Sequence, residues 1–193
     1  MKPEIIREST TLNVTLIPEG YRLSVFAIGG GAAGSSSQGG MRGAFKHIFV
    51  DNHANRSSLE LIITIGKGGT GSGGSTTISG LPSLFSAPGG SYGSYARGMD
   101  QECDGVTCRS VESLPDVCGV HITAGTDGSR DSYYNYRNGL GEGGVIVDGE
   151  KPIRQSTIDG EGFGAGGGYE SSYHYMRGSG YPGVAVLTLC KSA

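Results

Sequence analysis

The sequence predicts an all-β fold in which short strands alternate with ordered glycine runs. Three observations predict it. Apolar residues repeatedly alternate with polar ones at the two-residue period of a half-buried strand. Glycine supplies 37 of the 193 residues and is concentrated between those alternating stretches. No segment carries the 3.6-residue apolar periodicity of a helix. There is also no Gly-X-Y period, which excludes collagen, and no apolar stretch approaches the roughly 18 residues that span a membrane.

Taken in order, TTLNVTLI places Leu12, Val14 and Leu16 on one side of a first strand. Pro18-Glu19-Gly20 is turn chemistry, and YRLSVFAI (21–28) follows with Leu23, Val25 and Ala27 alternating, so the two stretches read as a hairpin. AFKHIFV (44–50) and SLELIITI (58–65) form a second pair of strands around the polar loop DNHANRS. Shorter strand-like pieces stand at STTIS (75–79) and SLFS (83–86), a hairpin strand and turn at GGVIVDGEKP (143–152), and the last strand at GVAVLTLC (183–190). The single glycine-rich β domain, 1–193, therefore has core segments 10–98 and 143–190, separated by a Cys-containing insertion, 99–142, that shows no sustained periodicity.

The glycine runs, GGGAAGSSSQGGMRG, GKGGTGSGG, APGGSYGSYARG and GEGFGAGGGY, lie between strands of one domain instead of between domains. That placement favours ordered polyglycine II, the threefold extended helix, over flexible linker. Fixing glycine costs more conformational entropy than fixing any other residue, so ordered runs must be bundled against one another. None of the runs is a GxxxxGK[ST] phosphate loop leading into a helix.

Net charge is −3, distributed unevenly. Residues 1–99 hold eight Lys/Arg and five Asp/Glu, a balance of +3, and residues 100–193 hold seven and thirteen, a balance of −6. Neither half has the dense basic patch of a nucleic-acid binder. Cys103, Cys108, Cys118 and Cys190 suit two disulfides in an oxidising compartment and lack zinc-ligand spacing. Four cysteines allow three pairings among which sequence does not choose. The expected one has Cys103–Cys108 as a local clip and Cys118–Cys190 tying the acidic segment to the last strand. Asn13-Val14-Thr15 and Asn55-Arg56-Ser57 are N-glycosylation acceptors, and MKPEIIREST lacks the apolar region of a signal peptide.

The run VFAIGGGAAG, then GGMRGAFKHIFV, LELIITIGKGGTGSGGSTTIS and LFSAPGGSYG, with the ending GEGFGAGGGY…GYPGVAVLTL, resembles extracellular glycine-rich domains. Such domains occur in the anaplastic lymphoma kinase and leukocyte tyrosine kinase receptors, in glycine-rich tips of phage tail fibres, and in secreted invertebrate glycine-rich proteins. The resemblance implies a β-sandwich-like framework carrying packed polyglycine II segments. It covers residues 10–98 and 143–190, leaves the Cys-containing segment without a counterpart, and carries over no functional residue.

Candidate sites are few. Asp100, Glu102 and Asp104 take positions 1, 3 and 5 before Gly105, as in a calcium loop, although Val111 occupies the twelfth position. Calcium is the only cofactor with a residue pattern behind it. Ten tyrosines and no tryptophan cluster with arginines: Tyr133, Tyr134 and Tyr136 with Arg137, and Tyr169, Tyr173, Tyr175 and Tyr181 with Arg177. Tyrosine and arginine are enriched at interfaces, so these are binding or interface candidates. His47, His53, His121 and His174 are scattered, with neither HExxH nor GxSxG present, so no enzyme is expected. The leading expectation is a secreted structural protein that self-associates in an extracellular matrix, fibre, adhesive or mineral scaffold. The rival is an extracellular recognition module that binds a protein or glycan through Tyr-rich loops. Neither reading involves nucleic acid or a membrane span.

Overall fold

The computed structural model describes residues 3–15, 17–35, 39–51, 58–81, 83, 85–93, 99–104, 107–111, 118, 120–123, 127, 144–147, 163–164, 166–167 and 178–192. Its strands are β1 (Glu4–Ile6), β2 (Thr10–Thr15), β3 (Tyr21–Ile28), β4 (Phe45–Asp51), β5 (Ser58–Thr64) and β6 (Thr76–Ser79). They continue with β7 (Phe85–Ala87), β8 (Gln101–Asp104), β9 (Thr107–Ser110), β10 (Val120–Thr123), β11 (Gly144–Val147) and β12 (Val184–Lys191). Among the described residues there is no helix, and none long and apolar enough to cross a membrane.

The fold is all-β, with two main sheets packed as a sandwich. The six-stranded sheet has the order β1-β12-β3-β4-β8-β9, the four-stranded sheet β2-β5-β6-β7, and β10 pairs with β11 apart from both. Between the two layers lies the main core. Leu23, Val25, Ile48, Val50 and Leu187 enter from the larger sheet, and Leu61, Ile63, Ile78 and Phe85 from the smaller. Full burial of each such side chain is worth about 1.5–3 kcal/mol. β5 alternates perfectly, with Leu59, Leu61 and Ile63 buried and Ser58, Glu60, Ile62 and Thr64 exposed, because its far face meets solvent. β3 and β12 are buried on both faces, so they read as near-continuous apolar runs. Phe26, Ile28, Phe45, Val184 and Val186 form a second cluster on the far face of the large sheet.

The expected hairpin pairing is corrected here. β2 and β3 flank the expected turn, in which the Tyr21 amide donates to the Pro18 carbonyl at 3.0 Å, yet they lie in different sheets. β3 pairs antiparallel along all eight residues with β12 and along seven with β4, so both its edges are occupied and the chain crosses layers at the turn. β4 and β5 part in the same way, β5 pairing with β2. The start of the 99–142 segment carries two strands of the large sheet. β8 runs parallel to β4, and β9 extends the sheet antiparallel to β8.

The glycine runs are packed against each other, and their hydrogen bonds show how. Gly29–Gly34 continues straight out of β3. The amides of Gly29 and Ala32 donate to Ala44 and Met41 at 3.0 and 2.9 Å. Those of Gly30 and Ala33 donate to Gly74 and Gly71 at 2.8 and 2.9 Å, and those of Gly31 and Gly34 to Tyr181 and Gly178 at 2.8 and 3.0 Å. Every third residue addresses the same neighbour, the threefold periodicity of polyglycine II. Gly90 and Gly167 donate back to the Gly30 and Ala32 carbonyls, both at 2.8 Å. The approach is too close for side chains: a Cβ on Gly73 would stand 1.9 Å from the Gly30 oxygen, and one on Gly180 2.0 Å from the Gly31 oxygen.

Two polar joints connect bundle and sheets. The Thr76 hydroxyl donates to the Ile28 carbonyl at 2.6 Å and accepts from the Gly66 amide at 3.0 Å. Arg42 forms a buried two-pronged ion pair with Asp100, whose Oδ1 also accepts from the Phe45 amide at 3.1 Å. Cys103 is bonded to Cys108, its direct cross-strand partner, and Cys118 to Cys190 on β12.

Gly180→Ala is expected to lower stability by about 3 kcal/mol, the upper range for overpacking, because the blocking atoms are backbone and cannot turn aside. Gly69→Ala, with open space around its Cβ position, should stay within about 0.5 kcal/mol; urea unfolding of both variants checks this. Chain-entropy reasoning also gives about 4 kcal/mol for Cys118–Cys190, which spans 72 residues, against about 2 for Cys103–Cys108, which spans 5. Pairwise serine replacement followed by thermal unfolding measures the difference.

Candidate functional site

The described residues bring one concentrated group of polar side chains together, at the β8–β9 edge of the large sheet. Strand alternation creates it. Residues of β3 and β4 that do not enter the interlayer core point to the far face, and the register aligns Ser24 with Phe49, Phe26 with His47, His47 with Glu102, and Glu102 with Arg109. A pocket of about 440 Å³ opens here, lined by Arg22, Phe49, Glu102, Cys103, Thr107 and Arg109.

Its walls are fixed by specific contacts. The Arg22 guanidinium lies over the Phe49 ring, 3.5 Å from the centroid, a cation–π contact that holds the long side chain flat. His47 meets the edge of the same ring at 4.5 Å. Arg109 donates to Glu102 Oε2 from Nε at 3.1 Å and from a terminal nitrogen at 2.5 Å. Arg109 is itself exposed to solvent.

Beneath the pocket, Ser24 Oγ and His47 Nε2 are hydrogen-bonded at 2.9 Å, and His47 Nδ1 lies 3.8 Å from Glu102 Oε1 with no hydrogen-bond partner. Burial pushes the imidazole down from 6.5 to about 4; Glu102 pulls the other way, and Arg22 adds to the lowering. The order Ser–His–Glu is that of a hydrolase relay. However, Ser24 and His47 are only 2% and 0% exposed, and neither lines the pocket. Their geometry makes them a support that fixes the floor of the pocket.

Of the sequence candidates, Tyr181 is 41% exposed, with its ring 6.1 Å from that of Phe163, over which Arg7 stands at 5.6 Å. Asn13 is exposed on β2. Tyr133, Tyr134, Tyr136, Arg137, Tyr169, Tyr173, Tyr175 and Asn55 lie outside the described residues. At the calcium pattern, Asp100 is paired with Arg42 and Glu102 with Arg109. The Asp104 side chain is outside the described ones. Among the described residues no group of three or more His, Cys, Asp or Glu is placed to hold a metal ion. Arg22, Phe49 and Arg109 were absent from the sequence candidates. The local signal was slight: Arg22 and Ser24 alternate at the start of YRLSVFAI, while Lys46 and His47 are adjacent in AFKHIFV.

His47 gives a pH signature. Its proton is bound more tightly by the unfolded chain, near 6.5, than by the folded one, near 4. Stability is therefore complete above 6.5 and falls as pH drops from 6.5 to 4, by about 3 kcal/mol in total at 1.36 kcal/mol per unit. Denaturant unfolding across that range should show the loss, and His47→Gln should flatten it.

A scan of protein families matches residues 8–186 to a glycine-rich domain, while no curated protein matches the chain. The matched stretch begins before β2 and ends inside β12, so it takes in the sandwich, the packed glycine segments and the pocket alike. The chain belongs to the family of glycine-rich domains.

Proposed function

We propose that the protein is an extracellular recognition module, a rigid glycine-rich platform that binds a protein or glycan partner at its surface. One observation carries this reading: the glycine runs are hydrogen-bonded to one another inside the fold, and Gly29–Gly34 and Gly40–Gly43 are buried. In those two segments the glycine surface on which open-ended assembly would rest is consumed internally. What faces outward is a pocket with two arginines and an aromatic ring, together with exposed Tyr181 and Tyr92. These are the residue types that dominate binding hot spots. The two disulfides support an oxidising, extracellular setting. The likeness of the glycine runs to receptor ectodomains and phage fibre tips, both of which recognise partners, agrees with it.

Self-association is the second reading, favoured by β9. All four of its residues are exposed, and among the described residues it pairs on one side only; unpaired edges template strand addition.

Light scattering on the non-reduced protein over a concentration series separates the two. Recognition predicts a constant mass near 19.8 kDa; growth without a plateau overturns it in favour of assembly. Screening glycans and secreted proteins should then yield a ligand whose binding weakens at least tenfold in Arg109→Ala or Tyr181→Ala, with the melting temperature unchanged.

A further inference from the structure

We propose that Cys103–Cys108 is an exchangeable disulfide, a reversible attachment point for a thiol at the rim of the pocket, while Cys118–Cys190 is a permanent structural bridge. Each bridge joins a buried cysteine to an exposed one, so exposure alone does not separate them. Two other features do.

Backbone spacing is the first. Disulfides fit Cα separations of about 4.4–6.8 Å, most often 5.5–6 Å, and departures make them easier to reduce. Cys118 and Cys190 stand 5.6 Å apart, within the preferred range, whereas Cys103 and Cys108 stand 4.0 Å apart. The latter two are directly opposed in the β8–β9 ladder. An antiparallel ladder holds opposed residues at about 4.5 or 5.5 Å, so this bridge draws the strands closer than either pairing prefers. Opening it relaxes the ladder.

The second feature is redundancy. Gln101–Ser110, Glu102–Arg109 and Asp104–Thr107 remain paired around Cys103–Cys108, so the hairpin survives reduction with its two sulfurs still adjacent and able to reclose. Cys118–Cys190 ties a turn residue to a strand 72 residues away, with no strand pairing between those two positions to replace it.

Surroundings fix where the attack falls. Cys108 lies on β9, where every residue is exposed, which gives a thiol from solvent its point of attack, whereas Cys103 is packed in the interlayer core at 2% exposure. In the step, an incoming thiolate attacks Cys108 Sγ and forms a new S–S bond. The Sγ–Sγ bond to Cys103 breaks, and Cys103 leaves as a thiolate. One disulfide and one thiolate stand on each side, with no net oxidation. Return attack by Cys103 on the mixed disulfide expels the thiol.

The test equilibrates the full-length, non-reduced protein in glutathione buffers of graded thiol-to-disulfide ratio, blocks free thiols with N-ethylmaleimide, and maps peptides by mass spectrometry. Cys103–Cys108 should be half open at a value of [GSH]²/[GSSG] at least tenfold lower than Cys118–Cys190, with glutathione on Cys108 and maleimide on Cys103. Simultaneous opening, or Cys118–Cys190 opening first, overturns the proposal. In the Cys103→Ser, Cys108→Ser double variant the early step should vanish while the late one stays at the same ratio; an early step that persists also overturns it. Should that variant not fold, the wild-type peptide map decides.

Discussion

The rest of this structure depends on the hydrogen bonding of one glycine segment. Gly29–Gly34 sends successive amides to three different neighbours in rotation, so a single backbone stretch holds residues 41–44, 71–74 and 178–181 around itself. Buried backbone groups must find partners, and here they find them without side chains. Sequence-distant parts of the chain are gathered by main-chain geometry alone. The entropic cost of ordering glycine is offset because every ordered segment satisfies several others at once. A Cβ at the inner positions would collide with carbonyl oxygens, so the composition is a steric requirement of the bundle.

That bundle also sets the sandwich. Gly29–Gly34 continues β3, residues 40–44 lead into β4, residues 66–74 follow β5 and lead into β6, and residues 178–183 lead into β12. Bundling these segments at one end fixes where β3 and β5 end and where β4, β6 and β12 begin, and side-chain alternation then assigns inner and outer faces. Arg42 and Asp100 lock this arrangement to β8. Replacing such a buried pair by apolar groups is often neutral, whereas removing one partner strands a charge. We read the pair as a device for register, since Asp100 also receives the Phe45 amide at the start of β4.

The pocket grows from the opposite tendency. Where the large sheet runs out at β8 and β9, the far face loses its apolar cover and carries Arg22, His47, Glu102 and Arg109. Phe49 links them, touching Arg22 on its face and His47 at 4.5 Å. His47 is kept neutral by burial, leaving Glu102 to Arg109. The same edge strands hold the Cys103–Cys108 bridge.

Much of this was legible in the sequence. The all-β class, the spans of β2 to β6 and β12, and the need for the glycine runs to be bundled all follow from local patterns, because alternation and Cβ-free backbone are properties of neighbouring residues. The pairing of strands did not follow. The turn at Pro18–Gly20 could equally close a hairpin or cross between layers, and only the long registers of β3 with β12 and β4 decided that it crosses. The site was illegible for the same reason. Asp100 and Glu102 look like calcium ligands when read along the chain, and only folding delivers Arg42 from 58 residues away and Arg109 from the next strand to neutralise them. Sequence determined which residues point the same way along each strand; tertiary structure alone decided which strands became neighbours, because that choice rests on contacts between residues far apart in the chain.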